Sequence, residues 1–225
     1  MDPLPLLLSS CVPNDAPELA RIHYEIFSKP PIYSVIYAGV DPNKVIAKYQ
    51  KGFQEGIAGH AEQSETREAT YWKVTDRISN TIVAYSILVY LPKGYDPEED
   101  PQAHADELLP GSNEAVAKEF QRVTGSNRSL HDGRRGPHFL ISLLGTHPQH
   151  ERRGAASMLV KAMFGHADEK GLPCYVDSSM TGHLLYERLG FKDVSTMQID
   201  LDNFEGGEGF GLQRWMGMMR EPNCS

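Results

Sequence analysis

The stretch from Phe139 to Glu169 narrows the folds open to this chain more than any other. Phe139 to Leu144 is an apolar run of strand length, and His147-Pro148 stops it. Gly154 to Glu169 then carries Ala155, Met158, Leu159, Ala162 and Met163 at the spacing of one helical face. The strand ends at Leu144, Gly145 and Thr146. The loop after it brings in Glu151, Arg152 and Arg153, and the helix opens in the small residues Gly154, Ala155, Ala156 and Ser157. Small side chains let a ligand approach the backbone. The first-turn N–H groups lack intrahelical acceptors, and the helix dipole favours negative charge beside them. Read alone, the segment is either an anion site suited to phosphate or an ordinary helix start with two surface arginines.

The segments around it predict an α/β fold. Leu4 to Val12 reads as a strand, and Asp15 with Glu18 as a capping box before Leu19, Ile22, His23, Ile26 and Phe27, a helix stopped by Pro30-Pro31. Asp41-Pro42 opens a second helix running to about Gly56. His60 to Glu68 reads as a loop, and Ala69–Thr75 with Ile82–Leu91 as a hairpin. Cys174 to Asp177 is a short strand. Thr181 to Leu189 is a short helix with Gly190 as its glycine cap and Phe191 as the apolar residue after it. Lys192–Leu201 and Leu212–Met219 form a closing pair of strands. Pro92 to Pro137, with the acidic run Asp96–Pro101 and a helix over Asn113–Val123, is too long for a plain connection. It reads as a functional lid or a mobile insertion in a single domain spanning 1–225.

Composition excludes several functions. The net charge of -8 over 225 residues argues against wrapping nucleic acid or lying on an anionic membrane. Cys11, Cys174 and Cys224 are too few and too scattered for a disulfide framework or a cysteine zinc site. The nine histidines show no ligand spacing, so no metal is expected. The Leu6-Leu7-Leu8 run lacks a basic flank and a cleavage site, and no apolar run reaches spanning length, which predicts a cytoplasmic protein.

Glu151-Arg152-Arg153-Gly154-Ala155-Ala156, placed after a strand, resembles motif A of the GNAT N-acetyltransferases, Gln/Arg-x-x-Gly-x-Gly/Ala. Gly154 and Ala156 match; Glu151 departs, putting a carboxylate where it would repel pyrophosphate unless it points away or pairs with Arg152 or Arg153. Leu184-Leu185-Tyr186-Glu187-Arg188-Leu189-Gly190-Phe191 resembles the family's motif B, at the right separation. The closing Met218-Met219-Arg220-Glu221-Pro222 is similar to fungal members of the superfamily.

The resemblance implies a mixed, mainly antiparallel sheet of six or seven strands flanked by helices, splayed between the strands ending near Thr146 and Asp177. It implies acetyl-CoA as the acetyl donor. Leu144, Gly145 and Thr146 would lie along the pantetheine arm and 151–156 at the pyrophosphate, with Ser157 and Ser179 as hydrogen-bond partners of the cofactor or of helix ends. In this family the acceptor amine attacks the thioester directly, and Tyr186 occupies the position from which a phenol protonates the departing sulfur. A His-x-His base found in some arylalkylamine acetyltransferases would fall on Leu140 and Ser142 and is absent. His138, Asp177, His183 and the acidic insertion are the remaining candidates, beside a water chain to solvent. The acidic balance and the insertion favour a small-molecule amine as acceptor. A protein lysine or N-terminal acetyltransferase, and a non-catalytic coenzyme A-binding module, are the alternatives.

Overall fold

The computed structural model describes residues 5–59, 67–95, 108–131 and 136–223. The acidic run Asp96–Pro101, most of the predicted loop from His60, and Arg134-Arg135 lie outside the described residues. The sheet grows outward from a hairpin. Strands β2 (Glu68–Asp76) and β3 (Thr81–Leu91) pair antiparallel, within a residue or so of the predicted bounds. β3 is buried along almost its whole length, as a strand covered on both faces must be. β1 (Leu6–Ser10) pairs with β2 and β4 (His138–Thr146) with β3. β5 (Cys174–Ser179), β6 (Lys192–Asp200) and β7 (Leu212–Arg220) complete the order β1-β2-β3-β4-β5-β7-β6. Every neighbouring pair is antiparallel except β4 and β5. A parallel pair needs a crossover, and helix α5 (Ala155–Lys170) supplies it. The last hairpin folds back so that β7 lies inside β6, an order that alternation within each strand does not reveal.

One face of the sheet is covered by α1 (Ala16–Phe27) and α3 (Pro42–Gly59), whose Leu19, Ala20 and Phe53 bury against Tyr85, Val89 and Leu140. The opposite face takes α5 and α6 (Met180–Arg188). Leu159, Val160, Met163 and Ala167 of α5 are fully buried at helical spacing, beside Tyr186 and Phe191. α6 ends as expected: Gly190 has φ 91°, its N–H donates to the Glu187 carbonyl, and the Phe191 N–H donates to that of Tyr186.

Two local expectations are corrected. Asp15 and Glu18 form no capping box. The Asp15 carboxylate accepts from the Val12 N–H and Lys73 Nζ, and Glu18 Oε1 accepts from the Ile82 N–H at 2.9 Å. Tertiary partners outcompete the local motif. Pro30-Pro31 does stop α1, but Pro31 also opens a further helix, α2 (Pro31–Ile36), because a proline at the first helical position lacks only an N–H that would have no partner.

Within the 92–137 stretch the structure places α4 (Glu114–His131), longer than predicted. It packs with α2 and β6 around Ile32, Val35, Val116, Ala117, Ile199 and Leu201. Polar bonds fix it to the sheet. Arg128 Nε and Asn127 Nδ2 donate to the Asp177 carboxylate at 2.8 and 3.0 Å, and Ser195 Oγ donates to Asn127 Oδ1. No helix among the described residues is long and apolar enough to cross a membrane.

Candidate active site

The parallel pair β4–β5 is joined only at Phe139↔Cys174, Leu140↔Tyr175 and Ile141↔Val176. Beyond Ile141 the strands part. The β3 register explains why: Leu88 faces Ile141 while Ile87 faces Leu143, so Ser142 is an extra, bulged residue in that register, and a bulge bends its strand. The upper half of β5 stays paired to β7 through Asp177, Ser178 and Ser179. This leaves a wedge between residues 142–146 of β4 and 177–179 of β5, whose facing backbone edges are not bonded to each other. The sheet is thus splayed between the strands that the family resemblance implied. An extended molecule carrying amide groups would complete the missing ladder.

The loop after β4 leads to the open end of this wedge. Gly154 is the N-cap of α5 with φ 90°, a conformation that side chains resist, and it offers no cap to the N–H groups of Ala155, Ala156 and Ser157. Arg152 also takes a left-handed φ, 61°, at a cost of about 1 kcal/mol. Among the described residues Glu151 pairs with neither Arg152 nor Arg153. Arg153 instead donates to Asp76 Oδ2 at 2.7 Å and contacts His150 Nδ1 at 2.8 Å. Asp76 also accepts from the Ile78 N–H, and these bonds, that from Arg153 foremost, hold its carboxyl below the usual range. The β2–β3 turn and the α5 loop are therefore tied through one carboxylate, a link the sequence reading did not find. Replacing Asp76 by asparagine is expected to raise KM for acetyl-CoA several-fold with little change in kcat, measured by steady-state kinetics. Equal loss in both parameters would show that the tie positions something other than the loop.

Glu151 and Arg152 are exposed at the helix start. Glu151→Gln removes one negative charge there and is expected to tighten acetyl-CoA by about threefold at low salt. A calorimetric titration showing unchanged or weaker affinity would place the carboxylate away from the phosphates.

On the other wall of the wedge, Tyr186 is buried between Phe191 and the sheet. Its ring edge passes beside Gly182, where an added Cβ would lie 3.5 Å from Cε2 and 3.2 Å from the Ser178 hydroxyl. Burial pushes its phenol well above the ordinary tyrosine value, so it keeps its proton at neutral pH. Ser179 caps α6, its Oγ accepting from the Gly182 N–H at 3.2 Å. Met180 and Leu184, one turn apart on α6, leave large apolar side chains exposed. Three of the candidate bases are engaged, and the fourth, the acidic run of the insertion, lies outside the described residues. Asp177 is held by Arg128 and Asn127, His183 Nε2 lies 2.7 Å from Asp193 Oδ1, and His138 is fully buried with Nδ1 2.9 Å from the Gly136 carbonyl. Cys174 is fully buried among apolar residues. No cluster of three metal-ligating side chains occurs among the described residues.

On the sheet face opposite α5, α1 and α3 pack over β4. Gly145 has no room for a side chain: a Cβ would come 2.8 Å from Ile26 Cδ1 and 3.1 Å from Tyr85 Cε1. Glu25, next to Ile26, receives His147 Nε2 at 2.9 Å. The end of α1 is thus seated on the splayed half of β4. Phe27 and Ser28, the following residues, line a cavity of about 320 Å³ together with Tyr24, Tyr33, Tyr37 and Tyr49. The periodicity of α1 assigned Phe27 to a helix face; it gave no sign that these rings enclose a space.

A family profile described as the acetyltransferase (GNAT) family matches residues 65–191. Solved structures share the fold over nearly the whole chain. A mosquito arylalkylamine N-acetyltransferase like 5b is 14% identical with a TM-score of 0.66, covering 96% of this chain and 99% of that one. Arabidopsis thaliana NAA60, in complex with a bisubstrate analogue, is 16% identical with a TM-score of 0.57 over 98% and 99%. The PaiA N-acetyltransferase of Thermoplasma acidophilum, in complex with coenzyme A, is 12% identical with a TM-score of 0.52 over 96% and 98%. No match is found among curated proteins. A splayed, mainly antiparallel sheet with an uncapped helix start beside the gap defines an acyltransferase fold. The chain belongs to the GNAT family of acetyltransferases, enzymes that use acetyl-CoA.

Proposed function

We propose that this enzyme transfers acetyl from acetyl-CoA directly to the primary amine of a small molecule. The observation that carries the reading is the wedge itself, open at one end to the free N–H groups of α5 and walled on the other side by helices that enclose an aromatic cavity. The residues present fit the donor. The splayed edges of 142–146 and 177–179 suit the pantetheine amides, Met180 and Leu184 suit its apolar stretches, and the N–H groups of 154–157 with Arg152 suit the pyrophosphate. When bound, acetyl-CoA supplies an acetyl group already activated as a thioester.

The chain's own groups then have three tasks. Backbone N–H near Leu144 polarises the carbonyl and stabilises the oxyanion. The amine nitrogen bonds to the acetyl carbon as the carbon–sulfur bond breaks, and the Tyr186 phenol gives its proton to the sulfur and takes one back from solvent before the next turnover. The ammonium proton leaves by water, since Asp177, His138 and His183 are all held in bonds of their own. Glu151 is a departure from motif A that weakens the phosphate site without closing it, because Gly154 and the free amides are intact. α4, fixed over β5 and β6, narrows the acceptor side and so favours a small amine over an extended peptide.

The test is coenzyme A release by purified protein with acetyl-CoA and a panel of small primary amines and short peptides. Turnover on small amines, with the N-acetylated product identified by mass spectrometry, is the expected result. Turnover on peptides alone would replace this reading with a protein acetyltransferase.

A further inference from the structure

The cavity between α1, α2 and α3 has a composition that selects a ligand. Five of its lining residues are aromatic: Tyr24, Phe27, Tyr33, Tyr37 and Tyr49. None of its lining residues is charged. The rings around it already meet one another edge to face, Phe27 with Tyr33 at 5.7 Å between centroids and Tyr37 with Tyr49 at 6.4 Å. Its volume, about 320 Å³, is that of a pocket for a small organic group.

Its position relates it to the acetyl-transfer site. Phe27 and Ser28 follow directly on Glu25 and Ile26, which sit against His147 and Gly145 at the splayed end of β4. From Tyr33 a run of rings continues through Phe120 to Trp215, and Trp215 pairs with Ser179 at the splayed end of β5. Burial raises the Tyr33 phenol to about 12, against the opposing pull of Arg128, whose guanidinium holds Asp177 on β5. The two walls of the wedge are therefore linked to this cavity, the β4 wall through the continuous chain of α1 and the β5 wall through β7 and the rings of Trp215, Phe120 and Tyr33.

We infer that the cavity receives the aryl group of the acceptor, so that the enzyme acetylates primary amines carrying an aromatic ring a short chain away from the nitrogen. The inference rests on the small-amine reading above and deepens it. A ring entering here adds edge-to-face contacts and leaves water without leaving any charge unpaired. A distal ammonium or guanidinium would gain attraction from the ring faces but would shed its water with no carboxylate in the lining to replace it, so the aryl group is the better match. The tyrosine and serine hydroxyls at the wall, Tyr49 with Tyr37 at 3.5 Å among them, tolerate a ring hydroxyl as well.

The test compares kcat/KM for 2-phenylethylamine, ethylamine, n-hexylamine, agmatine and a short alanine-initiated peptide at fixed acetyl-CoA. It uses the wild-type chain and two cavity-filling variants, Ser34→Phe and Ala38→Phe, each checked for acetyl-CoA binding as evidence of folding. 2-Phenylethylamine is expected to exceed ethylamine by about thirtyfold and to exceed n-hexylamine and agmatine. Filling the cavity should cut the phenylethylamine-to-ethylamine ratio by about tenfold or more. Small amines acetylated with n-hexylamine or agmatine preferred, or an aryl preference that both fillings leave intact, would overturn this inference and leave the small-amine reading standing. Turnover confined to the peptide, or none with any acceptor, would overturn both.

Discussion

Tyr186→Phe is expected to lower kcat by about a hundredfold while KM for acetyl-CoA stays within about twofold. The substitution removes a single oxygen. The ring keeps its contacts with Phe191 and the α5–α6 core, so the fold should be unaffected. What is lost is the proton that the phenol delivers to the departing sulfur. The effect should depend on the leaving group: an acyl thioester of a more acidic thiol needs the proton less and should be slowed less. A Tyr186→Phe enzyme with full turnover would remove Tyr186 from the mechanism and assign it to packing alone.

The second large effect concerns stability. His23 is buried among Phe27, Tyr49, Phe53 and Tyr85, with Nδ1 bonded to the Tyr85 hydroxyl. Desolvation lowers its pKa from 6.5 to about 3. The unfolded chain therefore binds a proton that the folded chain refuses. Stability from this residue is fully present above pH 6.5 and is lost as pH falls toward 3, approaching about 1.4 kcal/mol per pH unit. Between pH 6.5 and 5 the loss is roughly 1.6 kcal/mol, or roughly 5 °C in Tm. The lowered carboxylates Asp76, Glu119 and Asp168 act in the same direction, but only as pH falls below the unfolded carboxylate range. His23→Phe should lower stability at pH 8 by stranding the Tyr85 hydroxyl, yet flatten the profile between pH 7 and 5. A variant whose Tm still falls as steeply as the wild type's over that interval would show that the acid sensitivity arises elsewhere.

Much of this was legible in the sequence because it is local. The strand–loop–helix unit around Gly154, the glycine cap at Gly190 and the β2–β3 hairpin are each written in a dozen or so adjacent residues, and the structure places them close to where patterning does. The two short motifs also located the wedge between β4 and β5 through their resemblance to a known family. What could not be read joins residues far apart in the chain. Asp76 meets Arg153 across 77 positions, and Arg128 meets Asp177 across 49. The bulge at Ser142, which opens the wedge, depends on register with β3 and has no signature within β4. The Asp15–Glu18 box failed because Lys73 and Ile82, distant in sequence, offer those carboxylates other partners. The aromatic cavity was hidden for a further reason. Tyr33 and Tyr37 follow the prolines that end α1, and Pro30-Pro31 signals the stop of one helix more strongly than the start of α2.

Whether acetyl-CoA occupies the wedge between β4 and β5 is tested by amide hydrogen exchange on the full chain with and without saturating acetyl-CoA. Strong protection is expected for residues 142–146 and 177–179, whose facing edges are not bonded to each other, and for 152–157 at the α5 start, with the β1–β2 pair unchanged. Tight binding that leaves both the wedge edges and the α5 start unprotected, or no binding at all, would contradict it.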